Sequence, residues 1–233
     1  LKYMFYFLLF LKRAGIKLPK PLLLIIIELA GLTFSFGWEL VKNLNLDVIF
    51  EKACLCGNLN LVKKAIEKGA KIFNCGLYNA CRGGHAEIVK LLIENGANDL
   101  DWGFYYACEG GNAEIINLMI EKGSKSFNYG LAGACRGGHL KIINLMIEKG
   151  ATDFDWGLYN SCENGNVEIV KLMIEKGSKG FNYGLLGACD KGHLEIVKIL
   201  IEKGAKNISR GFYRARESGH AEIAKFLSEI REN

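Results

Sequence analysis

Proline is almost absent from this 233-residue sequence, and neither sign of charge dominates it. Only two prolines occur, against 28 glycines, so glycine alone interrupts the regular segments. Lysine and arginine number 30 against 25 acidic residues, and the part that follows residue 48 carries a net charge of only +2. A nucleic-acid-binding protein concentrates its bases on one face or one helix, so this balance argues against nucleic acid as a partner.

The composition and the missing motifs exclude several other classes of protein. Half the residues are hydrophobic and 24% are charged, which excludes a disordered chain, and eight cysteines are too few for a disulfide scaffold of this length. The sequence lacks an HExxH motif, a P-loop, a GxSxG motif and a dinucleotide-binding fingerprint. We therefore expect a non-enzymatic, mostly helical protein with no catalytic residue, cofactor, metal ion or small-molecule substrate.

A period of 27 residues organises the chain from residue 49 onward. Glycine recurs at Gly76, Gly103, Gly130, Gly157, Gly184 and Gly211. Cysteine recurs in the same frame at Cys54, Cys81, Cys108, Cys135, Cys162 and Cys189. A third column reads Asn58, His85, Asn112, His139, Asn166, His193 and His220. Three columns in one frame indicate seven repeats, over residues 49–75, 76–102, 103–129, 130–156, 157–183, 184–210 and 211–233.

Each repeat is predicted to form two helices joined by a tight turn. Residues 76–96 read GLYNACRGGHAEIVKLLIENG, in which the glycine pair at 83–84 favours a left-handed helix stop. The segment that begins near His85 carries apolar residues at helical spacing and is too long for a strand. An Asn, Asp or Ser stands two residues before each repeated glycine, and we predict that these residues cap the first helix: Asn74, Asp101, Asn128, Asp155, Asn182 and Ser209.

Such helix pairs bury both faces only by stacking, so the sequence predicts an all-α solenoid of seven repeats. Equivalent positions in neighbouring repeats then lie about 8–10 Å apart, too far for a disulfide or a shared metal ion. We interpret the in-frame cysteines as small core residues, and the histidines as hydrogen-bonding residues of the turn or the helix start. Cys54, Cys56 and Cys75 are the only cysteines that the pattern allows to lie close together.

The string GHAEIVKLLIENGA, with its relatives GHLEIVKILIEKGA and GHLKIINLMIEKGA, resembles the second half of an ankyrin repeat. The resemblance covers residues 49–233, but the TPLHxA opening of the family is absent and the period is about six residues shorter than usual. Only six residues separate Gly96 from Gly103, so we expect the β-hairpin fingers of the family to be trimmed or absent. The FNYGL…GH…IEKG pattern is also similar to the ankyrin arrays that are abundant in giant DNA viruses.

The resemblance implies that a partner protein binds the concave face, through the ends of the first helices and the adjoining loops. The charged column just before the turn glycine is then the first candidate contact: Arg82, Glu109, Arg136, Glu163, Asp190 and Glu217. A second candidate column is aromatic, and the spacing places it in the trimmed loops: Trp102, Tyr129, Trp156 and Tyr183. Trp, Tyr and Arg are enriched among interface hot spots, although aromatic residues at repeat spacing also fit packing between repeats.

Residues 1–48 do not carry the repeat, and three interpretations compete for them. We favour a hydrophobic helical cap that covers the first repeat. The phrase LPKPLLLIII (18–27) resembles the opening of an F-box, which would make the protein a substrate adaptor for a ubiquitin ligase. Residues 21–38 contain Glu28 and fall just short of the roughly 20 residues of a membrane span, so membrane insertion is not expected. We expect a monomer in the cytoplasm, which for a viral protein is that of the host.

Overall fold

A computed structural model describes residues 45–232, and within this range the chain forms fourteen α-helices and no strand. The first helices of the seven repeats are α1 (Leu46–Leu55), α3 (Phe73–Gly83), α5 (Leu100–Glu109), α7 (Phe127–Gly137), α9 (Phe154–Asn164), α11 (Phe181–Lys191) and α13 (Ile208–Glu217). The second helices are α2 (Leu59–Glu67), α4 (Ala86–Glu94), α6 (Ala113–Glu121), α8 (Leu140–Glu148), α10 (Val167–Glu175), α12 (Leu194–Glu202) and α14 (Ala221–Glu232). These seven helix pairs confirm the all-α prediction.

The helices keep the period of the sequence, but the repeat begins earlier than predicted. Helix α1 starts at Leu46 and helix α3 starts 27 residues later, so the boundary drawn after residue 48 falls inside α1. The F-box-like stretch 18–27 and the apolar stretch 21–38 both lie outside the described residues. No helix of the described range is long and apolar enough to cross a lipid bilayer.

The predicted N-caps of the first helices are wrong by two residues. Residues 74, 101, 128, 155, 182 and 209 lie inside the first helical turn instead of before it. The true cap of α5 is Asp99, whose carboxylate accepts a hydrogen bond from the backbone of Trp102. Asp153 caps α9 in the same way, by accepting from the backbone of Trp156. Asn and Asp recur at both positions, so residue type alone did not distinguish them.

Five of the six residues predicted as caps instead bond to the loop that follows their own repeat. Asn128 accepts hydrogen bonds from the backbone N–H groups of Thr152 at 2.8 Å and Asp153 at 3.0 Å. Asn182 accepts from Lys206 at 2.7 Å and Asn207 at 3.1 Å. Backbone donors near the protein interior need partners. In these shortened loops an Asn or Asp side chain supplies the acceptor that a β-hairpin would otherwise provide.

The chain divides into two compact units after Asn98, and each unit is built from stacked helix pairs. We call residues 45–98 the N-terminal unit and residues 99–232 the C-terminal unit. In each unit a first helix packs on its own second helix and on the first helices of the neighbouring repeats, whereas neighbouring second helices meet at few points. The side chains between these helices are fully buried and include Phe50, Leu77, Phe104, Leu131 and Met146.

The repeated glycine is a packing position, where two helices approach closely. A Cβ atom on Gly130 would lie 2.6 Å from the ring of Phe104 and 2.5 Å from the sulfur of Met146. The turn between the two helices uses a different glycine, such as Gly84, which has a φ of 81° and ends α3 in the left-handed conformation. This turn confirms the predicted helix stop, since glycine adopts a positive φ at no steric cost.

We predict that Gly133→Ala destabilises the C-terminal unit, whereas Gly187→Ala does not. The new Cβ atom at residue 133 would lie 2.1 Å from the carbonyl oxygen of Tyr105, so α5 and α7 would have to separate. We expect the free energy of unfolding to fall by about 1–3 kcal/mol. Urea denaturation followed by circular dichroism measures the change.

The control occupies the same column two repeats later. At Gly187 the nearest atom to a new Cβ is Cγ of Glu163 at 3.1 Å, in a side chain that can move. Alanine also favours a helix over glycine by about 1 kcal/mol, so this variant should be nearly as stable as the parent or more stable. Equal destabilisation by both substitutions would contradict the backbone clash at residue 133.

Candidate protein-binding surface

The charged column lies in the last turn of the first helices. In the C-terminal unit its members are Glu109, Arg136, Glu163, Asp190 and Glu217, and in the N-terminal unit Arg82 holds the same position. Arg82 and Glu217 are exposed, and the other four are partly buried. Within the C-terminal unit the column therefore runs from repeat to repeat along one edge of the first helices.

Three consecutive members of the column bond to one another, and we call Glu109, Arg136 and Glu163 the charged ladder. The Nε atom of Arg136 lies 3.5 Å from Oε1 of Glu109, and its Nη1 donates a hydrogen bond to Oε2 of Glu163. The two glutamate side chains are only 16% and 15% exposed. Partial removal from water strengthens such pairs relative to exposed ones. The alternating sign of the column is thus explained by attraction between neighbouring repeats.

Tyr159 connects the charged ladder to the aromatic residues. Its hydroxyl donates a hydrogen bond to Oε1 of Glu163 at 2.8 Å. Burial and this hydrogen bond raise the pKa of Tyr159 to about 12, so the phenol stays protonated at neutral pH. The ring is held in place from its polar end, one helical turn before Glu163 on α9.

Asp190, the next member of the charged column, bonds to residues of α11 and α13 and to Ser218. It accepts a hydrogen bond from the hydroxyl of Ser218 at 3.0 Å and pairs with Lys191 at 3.0 Å and Arg214 at 3.8 Å. The hydrogen bonds from Lys191 and Ser218 hold the pKa of Asp190 below its ordinary value. The carboxylate is ionised at neutral pH, and nearby bases balance its charge.

The aromatic candidates lie on helices, so their predicted position in the loops is wrong. Trp102, Tyr129, Trp156 and Tyr183 occupy the first turn of α5, α7, α9 and α11. The error has the same origin as the misplaced N-caps, because each first helix begins two residues before the position that was predicted. All four side chains belong to the C-terminal unit.

Three of these side chains form one cluster with Tyr105, and we call these four residues the aromatic cluster. Ring centroids lie 5.5 Å apart for Trp102 and Tyr129 and 4.9 Å apart for Tyr129 and Trp156, both edge to face. Tyr105 stacks on Trp156 at 5.9 Å, and its hydroxyl donates to Asn160 at 2.9 Å. Trp102 is nevertheless 37% exposed, so the cluster packs between repeats and also reaches the surface.

The C-terminal unit has two neighbouring grooves, and Trp156 of the aromatic cluster lines the first of them. The first groove has a volume of about 350 Å³ and is lined by Asp155, Trp156, Tyr159, Gly180 and Tyr183. The second groove, of about 330 Å³, is lined by Tyr159, Glu163, Tyr183, Leu186, Gly187, Asp190, Arg210 and Arg214. Tyr159 and Tyr183 line both, and Tyr183 is 71% exposed. The two grooves therefore form one continuous strip across α9, α11 and α13.

Sequence analysis missed Asp155, Arg210 and Arg214 as residues of this strip. Asp155 was assigned to capping, although it lies next to Trp156 in the chain. Arg210 and Arg214 stand four residues apart on α13, a spacing that places them on one helix face. That spacing was the available signal.

The comparison with known families decides the identity of the fold. The family model for ankyrin repeats, described as three copies, matches residues 50–129, 131–211 and 158–233. The chain belongs to the ankyrin-repeat family. Proteins of this family generally act as protein-interaction modules. The ankyrin repeat domain of human ASB11 is similar in structure, with 22% identity, a TM-score of 0.43, and coverage of 76% of this chain and 96% of that domain. No curated protein matches the chain.

The histidines of these ankyrin repeats hold neighbouring repeats together. In each case Nε2 lies 2.9–3.2 Å from the backbone carbonyl oxygen 30 residues earlier, and the pairs are His85–Leu55, His139–Glu109, His193–Glu163 and His220–Asp190. This confirms the predicted hydrogen-bonding role and shows that the bonds cross between repeats. Three of the four acceptors are backbone atoms of the charged column, so the histidines also fix the position of that column.

The in-frame cysteines of the ankyrin repeats are buried in the core, as predicted. Burial raises the pKa of Cys135 and Cys189 to about 12 and also raises the pKa of Cys54, Cys108 and Cys162. A thiol in this environment is a poor nucleophile because it stays protonated. In the part of the chain that the structure describes, no group of three His, Cys, Asp or Glu side chains is placed to hold a metal ion.

We predict that thiol reagents separate the cysteines by position. In native protein, Ellman's reagent should react quickly with the exposed Cys75 and more slowly with the partly buried Cys56. The six in-frame cysteines should react only after unfolding in urea, because their side chains are buried and a reagent reaches a buried, protonated thiol poorly. Rapid reaction of more than two thiols in the native protein would contradict their burial.

Proposed function

We propose that this protein is a non-enzymatic interaction module that binds a partner protein along the ends of the first helices, on the concave side of the ankyrin array. The observation that carries the proposal is a single surface in the C-terminal unit, where the charged ladder, the aromatic cluster and the two grooves adjoin. Sequence analysis identified the charged and aromatic columns separately. Tyr159, which lines both grooves and bonds to Glu163, connects them.

The exposure of this surface supports binding to a protein. Trp102 and Tyr183 are 37% and 71% exposed, and burying such rings in an interface stabilises a complex by about 1.5–3 kcal/mol each. The neighbouring side chains are already fixed by bonds within the array. Since ordering of flexible side chains opposes association, a surface held in this way loses less entropy on binding.

The packing of the helices supports the choice of face. Within the C-terminal unit, first helices pack on each other more extensively than second helices do, which is what we expect if the first helices carry the proposed binding surface. The remaining column members of the C-terminal unit, Asp190 and Glu217, would extend the contact along that unit, and Arg82 holds the equivalent position in the N-terminal unit. The expected monomeric state and cytoplasmic location rest on the sequence alone.

The substrate-adaptor alternative depends on residues 18–30, which lie outside the described residues. It stays a sequence-based proposal that would add a ligase contact to the same array. Capture of a Skp1-like subunit by the full chain would support the adaptor alternative. A failure to capture one would contradict that alternative and leave the interaction module as the proposed function.

We predict that exchanging the charges of Arg136 and Glu163 weakens partner binding. The partner is first identified by affinity capture and mass spectrometry with the intact chain. The double variant Arg136→Glu and Glu163→Arg keeps the pair but reverses its charge toward the partner, and we expect the affinity to fall about tenfold. Glu109 then faces a carboxylate, so stability should fall by about 1 kcal/mol.

The matched control exchanges an acid and a base on a second helix of the same repeat. Glu168 and Lys171 are exposed on α10, so Glu168→Lys with Lys171→Glu changes charge on a different helix. Titration calorimetry should show unchanged affinity in this control. An equal loss of affinity in both double variants would place the binding surface elsewhere.

A further inference from the structure

We propose that the first groove binds a quaternary ammonium group, presented by a trimethylated lysine of the partner polypeptide. The inference rests on the proposed function and names the chemistry of one contact on that surface. The groove brings three aromatic rings and one carboxylate together, from Trp156, Tyr159, Tyr183 and Asp155. Cations are attracted to the faces of aromatic rings, and a set of such rings is a known means of recognising methylated ammonium groups.

Two of the aromatic walls are fixed before any ligand arrives. Trp156 stacks on Tyr105 at 5.9 Å and contacts Tyr129 edge to face at 4.9 Å. Tyr159 is held by its hydrogen bond to Glu163. The third wall, Tyr183, projects from α11 and is 71% exposed, so a bound group would cover it.

The carboxylate of Asp155 supplies a full negative charge at the edge of the groove. Its Oδ1 atom accepts hydrogen bonds from the hydroxyl of Ser178 at 2.7 Å and from the backbone N–H groups of Lys179 at 2.7 Å and Gly180 at 2.9 Å. The bond from Ser178, followed by those from the backbone, holds the pKa of Asp155 below its ordinary value. The group is therefore ionised and rigid at neutral pH, whereas the side chain of Lys179 does not line the groove.

The internal duplication shows why the groove is open at this position. The equivalent residues 54 positions earlier are Asp101, Trp102, Tyr105, Ser126 and Tyr129. In that copy the rings of Trp102 and Tyr129 are in contact, and Ser126 bonds to Asp101.

Two substitutions account for the difference between the copies. Gly180 is the equivalent of Ser126 and has no side chain. Arg210 is the equivalent of Trp156, so no tryptophan is present to pack on Tyr183 as Trp156 packs on Tyr129. Tyr183 consequently lacks the tryptophan that holds Tyr129 in place at 4.9 Å. Space between the rings of Trp156 and Tyr183 remains in the later copy because α13, the first helix of the last repeat, carries Arg210 and not an aromatic residue at the position equivalent to Trp156.

The hydrogen-bonding capacity of the groove selects among cations. A lysine ammonium carries three N–H donors and an arginine guanidinium five, and donors that leave water without acceptors are unfavourable. Oδ1 of Asp155 already accepts three hydrogen bonds, so Oδ2 of Asp155 and the hydroxyl oxygens of the two tyrosines are the side-chain acceptors that remain in the groove for three or five donors. A quaternary ammonium has no N–H donor and keeps its attraction to the rings, so it loses least on entering the groove.

The test uses the full chain and a set of acetylated, amidated peptides of the form Gly-Gly-X-Gly-Gly. X is trimethyllysine, lysine, arginine or the neutral isostere in which carbon replaces the charged nitrogen. Binding is followed by tryptophan fluorescence and calorimetry. We expect the trimethyllysine peptide to bind roughly fivefold more tightly than each of the other three.

Three variants connect the preference to the groove. Tyr183→Ala should reduce the affinity for the trimethyllysine peptide roughly fivefold, whereas Tyr183→Phe, which keeps the ring, should change it less than about twofold. Asp155→Asn removes the charge but keeps an acceptor for the loop, because Asn128 and Asn182 bond the following loops in this way. It should weaken binding of trimethyllysine roughly threefold and leave the neutral isostere unaffected. Thermal unfolding checks that each variant is folded.

Several outcomes would overturn the assignment. Equal affinity for trimethyllysine and its neutral isostere would show that charge is not recognised, and tighter binding of the arginine peptide would assign the groove to a guanidinium. A preference that persists in Tyr183→Ala would place the site elsewhere, and no binding of any peptide up to about 10 mM would exclude it. These outcomes leave the proposed function standing, because that proposal is tested by capture of a protein partner with the intact chain, which does not require a methylated lysine.

Discussion

The close approach of neighbouring first helices is the constraint on which the rest of the structure depends. Glycine or cysteine occupies positions where these helices meet, and a Cβ atom at Gly157 on α9 would lie 3.3 Å from the sulfur of Cys135 on α7. Within the described residues the first helices begin at intervals of 27 residues, from Leu46 to Ile208, and this interval leaves only short loops between the repeats. The short loops that result cannot form hairpins, and Asn or Asp side chains such as Asn128 satisfy their backbone groups instead.

A strict period converts each column of the sequence into a row of contacts along the stack. A column of one charge would then repel itself, whereas the alternation of Glu109, Arg136 and Glu163 makes the contacts attractive. The histidines act on the same row, because they bond to the backbone carbonyls of Glu109 and Glu163. The bonds that stabilise the stack thereby order the surface that a partner would meet.

The sequence predicted those features that depend on the period alone. Helix pairs, left-handed turn glycines and buried cysteines all follow from it, and the structure confirms each. It misplaced the N-caps because Asp99 and Asp101 both recur 54 residues later, as Asp153 and Asp155, and periodicity does not show which of the two positions precedes the helix. Because of this two-residue error, Trp102 was predicted to lie in a loop, whereas it lies in the first turn of α5. The first groove was missed because it forms between two repeats, from Trp156 and Tyr159 on α9 and Tyr183 on α11, and the pattern within one repeat does not show how its side chains meet those of the next.

Positions at which the residue type departs from the repeat are therefore the most informative about partner binding. A uniform array offers the same contact many times, and such a surface cannot fix the register of a partner. The tryptophan and tyrosine column alternates over two repeats and ends at Arg210, so the pairing of Trp156 with Tyr183 differs from that of Trp102 with Tyr129. This difference gives the C-terminal unit one position that no other repeat of the unit reproduces. A partner anchored there would have a single register along the charged ladder.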